Sequence, residues 1–493
     1  MHSPFRLVSR LAAALAVPIA MLAAAPAASL TQETLATMQK ATAFMRSIAT
    51  EGGYLWRYSP DLSERAGENP ATPTQIWVQP PGTPSMGMAF LRAYQATGDA
   101  TYLKAAKAAA DALAVGQAAS GGWDHFIEFD PEHSKGWYRR SDLGRISTAE
   151  AATRRNLTSF DDDNTQSALR LLIAVADASK GADEPHDRRI REARDYGLKK
   201  LLEAQRPNGG WPQRWTGIPV DPAEYPVHPA RYPEEYPRKY PMDKFHGHYT
   251  LNDNTQRDCI MTLLEAGKRL GRPEYRAAAL KGGDFLIRAQ MPEPQPVWAQ
   301  QYNSQLEPTW ARSFEPPSVC SSESVGVMRL LVDLYLETGD TKYLEPLPRA
   351  IAWFRRSGME PGIWARMYEL RTNTPIFGNR DGEIKYRREE AKTGYSWRGP
   401  YGVAGAISYY EEAKRDGQTT IMDKRRKAET EAATAAGKAA RRRSLEPGVR
   451  AAIAALDADG RWVTDDRGAP MINTSTFITL MRTLSEYIEV TKQ

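Results

Sequence analysis

Asp161-Asp162-Asp163-Asn164-Thr165-Gln166, followed by the apolar run 167–178, is the stretch from which this chain is best read. Its last four residues return as Asp253-Asn254-Thr255-Gln256, close before a second apolar run at 259–270. Two carboxylate-and-amide clusters thus stand at equivalent points of a repeated unit. Clusters at matching ends of neighbouring repeats can converge in space although the chain separates them.

A longer repeat surrounds the tetrapeptide. Ala96-Thr97-Gly98-Asp99 precedes a helical segment at 102–115 and then Gly121-Gly122-Trp123. A charged segment, 190–205, precedes Gly209-Gly210-Trp211-Pro212, and Gly271-Arg272-Pro273 precedes 275–290 and Val297-Trp298-Ala299-Gln300. Thr338-Gly339-Asp340 precedes 343–358 and Gly362-Ile363-Trp364, and 449–456 precedes Gly460-Arg461-Trp462. A period of tens of residues signals stacked supersecondary units. The segments 167–178 and 324–336 are apolar nearly all round, which suits burial on both sides. By contrast, 190–205 carries one stripe of Ile190, Ala193, Gly197, Leu201 and Ala204, the pattern of a half-exposed helix. Alternation of the two kinds predicts an all-α fold, an incomplete or irregular α/α toroid with inner and outer helix rings. Short β segments are expected only around 123–129 and 364–370. The inner helices should start at one rim, at Ser85, Asp163-Asn164, Asp253-Asn254, Ser322-Glu323-Ser324 and Asn473-Thr474-Ser475. Plain helix capping also accounts for such residues, because Ser, Asp and Asn are favoured caps. Three adjacent acids are more than one cap needs, and they repel unless a cation or a positive side chain offsets them.

Arg6 and Arg10, the apolar run 11–24 and Ala25-Pro26-Ala27 read as a cleavable export signal over residues 1–27. No later stretch is long enough to span a membrane. The expected product is a secreted or periplasmic protein, a single toroid over 28–493 and a monomer. Within it, 219–241 is rich in Pro, Tyr and Glu and reads as a surface loop. The formal net charge is +5; loss of Arg6 and Arg10 leaves +3, and setting aside the +6 of segment 414–443 leaves −3 for the rest. The basic character therefore sits in one charged insertion, and a nucleic-acid partner is not expected. The 2 cysteines, Cys259 and Cys320, read as buried free thiols. His246 and His248 lie in a Pro/Tyr-rich loop without zinc spacing.

Chemistry concentrates in Trp310-Ala311-Arg312-Ser313-Phe314-Glu315-Pro316-Pro317, which feeds an inner helix. Trp364-Ala365-Arg366, Asn379-Arg380-Asp381-Gly382 and Gly394-Tyr395-Ser396-Trp397 follow. Aromatic rings interleaved with arginines suit a sugar acid, since rings stack on sugar faces and guanidinium pairs bidentately with carboxylate.

These motifs, in this order from about 160 to 399, resemble the family 10 pectate lyases. The resemblance rests on Asp161–Asn164, Gly209–Gln213, Asn252-Asp253-Asn254, Ala311–Ser318, Ser322–Gly326, Trp364–Tyr368, Arg380–Gly382 and Gly394–Trp397. It implies calcium-assisted anti β-elimination on polygalacturonate. Arg312 falls at the position of the family's base, with a plain carboxylate clamp as the other reading of that residue. Asp163 and Asp253 fall at calcium-site carboxylates, with Asp161, Asn164 and Asn254 as supports. Arg380, Arg366, Lys392, Tyr395 and Trp211 are the implied substrate contacts. The chain departs from the family at Ala391-Lys392, where paired arginines are usual. An α/α-toroid glycoside hydrolase and a non-catalytic glycan-binding relative are the competing readings.

Overall fold

The computed structural model describes residues 29–179, 184–242, 244–392 and 395–492. The expected signal at 1–27 and Gly394 lie outside them. Among the described residues there are thirteen α-helices: α1 Leu30–Ser47, α2 Thr83–Thr97, α3 Ala100–Gly116, α4 Thr148–Thr153, α5 Asn164–Ala178, α6 Pro185–Ala204, α7 Thr255–Leu270, α8 Pro273–Arg288, α9 Ser321–Thr338, α10 Leu347–Arg356, α11 Val403–Ala433, α12 Ala435–Ala455 and α13 Thr474–Thr491. No described helix is long and apolar enough to cross a membrane.

The helices form the double ring that the repeat predicts. α13, α2, α5, α7, α9 and the first half of α11 are the inner ring, and α12 joins α11 back to α13. Outer helices α3, α6 and α8 pack on α2, α5 and α7. Burial follows composition: in α5, residues from Asn164 to Ala176 are buried with the exception of Arg170, whereas α6 buries only one side, including Ile190, Ala193, Gly197, Leu201 and Ala204.

Two sequence signals build the joints of the ring. In Thr97-Gly98-Asp99 and Thr338-Gly339-Asp340 the glycine ends an inner helix with φ of 76° and 75°, a left-handed C-cap that suits glycine. The aspartate then accepts a hydrogen bond from the amide of Thr101 or Lys342 and opens the next turn. After each outer helix, a tryptophan closes its end. The indole N–H donates to the carbonyl ten residues back in Trp123→Leu113, Trp211→Leu201, Trp364→Phe354 and Trp462→Ala452, and twelve back in Trp298→Leu286. Helix ends leave orphan carbonyls, and each ring satisfies one while filling the space between layers. The backbone of the same tryptophan is held from the inner helix: Thr165 Oγ1, Gln256 Oε1 and Ser324 Oγ accept from the amides of Trp123, Trp211 and Trp298 at 3.1, 2.9 and 3.0 Å.

Strands are short and sit at the rim. The one that matters for function is a four-stranded antiparallel sheet, in the order Ile384–Lys385, Pro375–Gly378, Met367–Glu369, Ser318–Cys320. Met367 pairs with both Cys320 and Ile376. The 219–241 loop docks beside this sheet. Arg238 bonds Glu369 at 2.7 Å, and the Pro237 carbonyl accepts from the Trp310 indole at 2.8 Å. The charged segment 414–443 forms the end of α11 and the start of α12, with a break at Gly417 (φ 74°). Ile421 is buried, while 422–436 are exposed. Cys259 and Cys320 are free and buried.

Candidate active site

One wall of the site is acidic, and its construction differs from the sequence pattern by one residue. The chain enters α5 and α7 by the same path. The amides of Phe160 and Leu251 donate to the carbonyls of Gln213 and Gln300 at 2.9 and 2.8 Å. Asp161 and Asn252 follow. Then Asp162 and Asp253 turn left-handed (φ 50° and 48°), as do Asp163 and Asn254 (φ 59° and 61°). Such a conformation costs a non-glycine residue roughly 1–2 kcal/mol, least for Asp and Asn. Structural register therefore pairs Asp162, not Asp163, with Asp253, although the repeated tetrapeptide suggests the opposite.

The consequence is chemical. Carboxylate oxygens of Asp161, Asp162 and Asp253 lie within 4.8 Å of one another. Asp163 is outside this group. Its carboxylate pairs with Arg170 and lines a cavity of about 1000 Å³ between α5, α7, α9 and α11. The expectation for Asp163 is thus corrected, because a one-residue step at a helix start swings the side chain from the rim toward the bore of the ring. The capping alternative also fails here: neither Asp163 nor Asn254, the residues before α5 and α7, makes a side-chain cap bond. Asn164 is fully buried and its amide holds the Asp161 carbonyl at 2.8 Å, so it supports the cluster from below. Asn254 is exposed at the mouth.

Electrostatics mark the group as incomplete on its own. Burial, with Asp162 beside it, raises Asp161 to about 6; Arg312 and His125 oppose this. Burial, Asp161 and Asp162 raise Asp253 to about 7, again against Arg312. Asp162 is also raised, by burial first. Like charges at this spacing resist ionisation unless a cation joins them. Buried Asp161 Oδ1 and Asn252 Oδ1 have no hydrogen-bond partner. An all-oxygen donor set of this kind fits calcium. Gln213 donates to Asp161 Oδ2 at 2.8 Å, and His125 Nε2 lies 4.0 Å from Asp162 Oδ2. His125 is steadied by Asp124 at 2.8 Å. Burial lowers its basicity, but the Asp124 contact prevails and raises it. Asp162 and His125 were absent from the expected set; the Asp161–Asp163 run contained the first, and no motif marks the second.

The other wall is cationic and aromatic. The sheet brings three distant arginines to it: Arg312 precedes the strand Ser318–Cys320, Arg366 precedes Met367–Glu369, and Arg380 follows Pro375–Gly378. Gly378 permits this closeness, since a Cβ there would stand 1.8 Å from the Phe314 carbonyl oxygen. Arg312 donates to both Glu315 oxygens at 2.8 and 2.7 Å and to the Tyr395 hydroxyl at 2.5 Å. Tyr395 in turn donates to Glu315 at 2.6 Å. The guanidinium is still 41% exposed and faces the site. Burial works to lower its pKa, but the hydrogen bonds and charge of buried Glu315 outweigh that and hold it above arginine's ordinary value. Arg312 and Arg380 each lie 4.9 Å from the Phe314 ring centre, and Arg366 lies 4.3 Å from that of Tyr395. Arg366 also pairs with buried Glu323 at 2.9 Å.

Of the expected substrate contacts, Arg366, Arg380 and Tyr395 thus share one wall with Arg312. Lys392 is exposed, its amide 3.4 Å from Asn379 Oδ1. Trp211 is a correction. It is fully buried, and its indole closes α6, so it shapes the ring and stands apart from the two walls.

A family model described as pectic acid lyase matches residues 131–362 and 358–404. The chain belongs to that family. The match spans both walls, apart from His125. No curated protein matches the chain. Among solved structures, the family 10 polysaccharide lyase from Cellvibrio cellulosa is 21% identical with a TM-score of 0.43, over 68% of this chain and 97% of that one. A mutant of the same enzyme in complex with trigalacturonic acid gives 22%, 0.43, 68% and 98%. Cellobiose 2-epimerase from Bacillus thermoamylovorans is 12% identical with a TM-score of 0.43, over 93% of this chain and 98% of that chain.

Proposed function

We propose that this protein is an exported, monomeric lyase that cleaves pectate, the polymer of galacturonic acid, by calcium-assisted anti β-elimination. The observation that carries the reading is the opposition of two walls: three carboxylates within 4.8 Å of one another on one side, Arg312 with its charge acting on all three from the other. Asp161, Asp162 and Asp253 would hold calcium, with Asn252 and Asn254 beside them. Bound there, calcium supplies positive charge at the sugar carboxylate, where elimination accumulates negative charge.

The chain's own residues divide the remaining work. Arg366 and Arg380 grip uronate carboxylates, while buried Phe314 backs Arg312 and Arg380 and half-buried Tyr395 borders the sugar. Arg312 is directed at the C5 proton. As that proton leaves, the C4–O bond breaks, a C4–C5 double bond forms, and the departing oxygen takes up a proton. Neutral arginine at pH 8 costs about 6 kcal/mol at its ordinary pKa, and Glu315 adds to this. The base role therefore requires alkaline conditions or a substrate that loosens the Glu315 pairing. The hydrolase alternative finds less support: Glu315 and Glu323, the carboxylates it would draw on, are both tied to arginines.

Polygalacturonate with purified protein, followed by ultraviolet absorbance with calcium and with EDTA, tests the reading. An unsaturated uronide that forms only with calcium is expected. Reducing-sugar release without absorbance would make the protein a hydrolase instead.

A further inference from the structure

Three arginines share the cationic wall, and they are not held alike. Arg312 and Arg366 are fixed by the buried carboxylates of Glu315 and Glu323. Arg380 is exposed and backed by the Phe314 ring, and among the described residues it pairs with no carboxylate. Its place therefore depends on the backbone that carries it. That backbone is the turn from Asn379 to Gly382, between Pro375–Gly378 and the two-residue outer strand Ile384–Lys385. Within the turn the Gly382 amide donates to the Asn379 carbonyl at 3.1 Å, and the Asn379 side chain donates to Asp381 at 3.0 Å. So short an outer strand gives the turn few ladder bonds of its own.

Further support comes from the loop 219–241. Its last residues lie antiparallel to the chain entering the outer strand: Lys239 bridges Glu383, and the Tyr240 amide donates to the Gly382 carbonyl at 2.8 Å. The two segments pack closely, since a Cβ on Gly382 would stand 2.9 Å from that of Tyr240. The same stretch holds the other arginine segment. The Pro237 carbonyl accepts from the Trp310 indole at 2.8 Å, and the Tyr240 ring lies 5.7 Å from that of Trp310. Arg238 anchors it to buried Glu369 at 2.7 Å. Residues 237–240 thus touch the chain two residues before Arg312 and two residues after Arg380.

We propose that residues 237–240 are a strap that fixes the span between Arg312 and Arg380, with Tyr240 as a positioning residue for Arg380. The inference rests on the reading of Arg380 as a carboxylate grip. Tyr240 touches none of the reacting atoms and acts through the Gly382 carbonyl. Without it the turn must be ordered when substrate binds, and that entropy cost appears in affinity. Loss of the strap should therefore raise KM and leave kcat nearly unchanged.

Tyr240→Pro removes the donated amide and Tyr240→Ala removes the ring, whereas Tyr240→Phe keeps both. KM for polygalacturonate should rise by about 3- to 10-fold in Tyr240→Pro and return to the wild-type value in Tyr240→Phe. Arg380→Gln should raise KM as well. In that background Tyr240→Pro should add nothing, because a residue that acts through Arg380 has no further target. Additive effects, or an unchanged KM in Tyr240→Pro, overturn the proposal. If Tyr240→Pro does not fold, Tyr240→Ala enters the same cycle and decides it in the same way. Hydrogen exchange of the ligand-free protein reads the strap apart from any activity. Amides of 379–382 should exchange faster in Tyr240→Pro, and wild-type rates there overturn the proposal as well. A wild type that forms no unsaturated product sinks the lyase reading alone, because the exchange result and the same cycle in trigalacturonate affinity still decide the strap.

Discussion

Arg312 is held by a buried carboxylate and a phenol, and that arrangement sets its chemistry. Arg312→Lys keeps the charge but loses the fork that grips Glu315, and turnover should fall by about 10²–10⁴-fold, the span of a positioned acid or base. Near-normal turnover on polygalacturonate would leave Arg312 as a carboxylate clamp only. The acidic cluster makes a sharper prediction, because two neighbouring residues should behave differently. Asp162→Asn should weaken calcium binding by about 10-fold or more, whereas Asp163→Asn should leave it near wild type; calorimetric titration of both variants reads this directly. Protonation gives a third prediction. Asp161 and Asp253, at about 6 and about 7, stand above an ordinary carboxylate. The folded metal-free protein therefore binds more protons than the unfolded chain between roughly pH 4 and 7. That contribution to stability is present at low pH and fades as pH rises through 6 and 7. Calcium takes the place of those protons, so its effect on Tm should be larger at pH 8 than at pH 5. Equal shifts at both values would detach the cluster from metal binding.

The helices, turns and short strands explain which parts of this protein the sequence discloses. Thr-Gly-Asp and Gly-Gly-Trp are legible because each acts locally, ending a helix, beginning the next, or plugging an outer helix end. Runs such as 167–178 are legible because burial on two sides leaves little polarity outside Arg170. Local logic also bears on Trp211, which the resemblance puts among the substrate contacts while its buried indole serves α6. Trp211→Ala should cost about 3–5 kcal/mol of stability, seen as a lowered urea midpoint. A rise in KM without loss of stability would return Trp211 to the substrate. The convergence of Arg312, Arg366 and Arg380 is hidden from periodicity, because strands of two to four residues carry too little pattern. It became readable only through resemblance to a family. His125 reaches the site from the end of a strand pair formed with Gln75–Trp77, and nothing in its neighbourhood announces that placement.

The molecule as a whole is a ring whose rim works and whose back carries the charged α11–α12 hairpin. The hairpin is not uniformly dispensable. Gln418 bonds Tyr335 and Leu336 at 2.9 and 3.0 Å, and Ile421 is buried, while 422–436 project into solvent. Replacing the projecting tip by a short linker should leave Tm within about 2 °C, since exposed substitutions shift stability by about 0.5 kcal/mol or less. Removal of all of 414–443 should lower it clearly, as differential scanning calorimetry would report. Equal effects would mean that the tip packs in solution. The slipped tetrapeptides bear on any attempt to rebuild this ring. A graft that copies residues 253–256 onto 163–166 changes nothing in spelling, yet one that transplants the second repeat's geometry must copy 252–254 onto 161–163. The second keeps the acid at 162 and places amides on both sides of it, whereas an engineer guided by identity would align Asp253 with Asp163, whose carboxylate turns to Arg170.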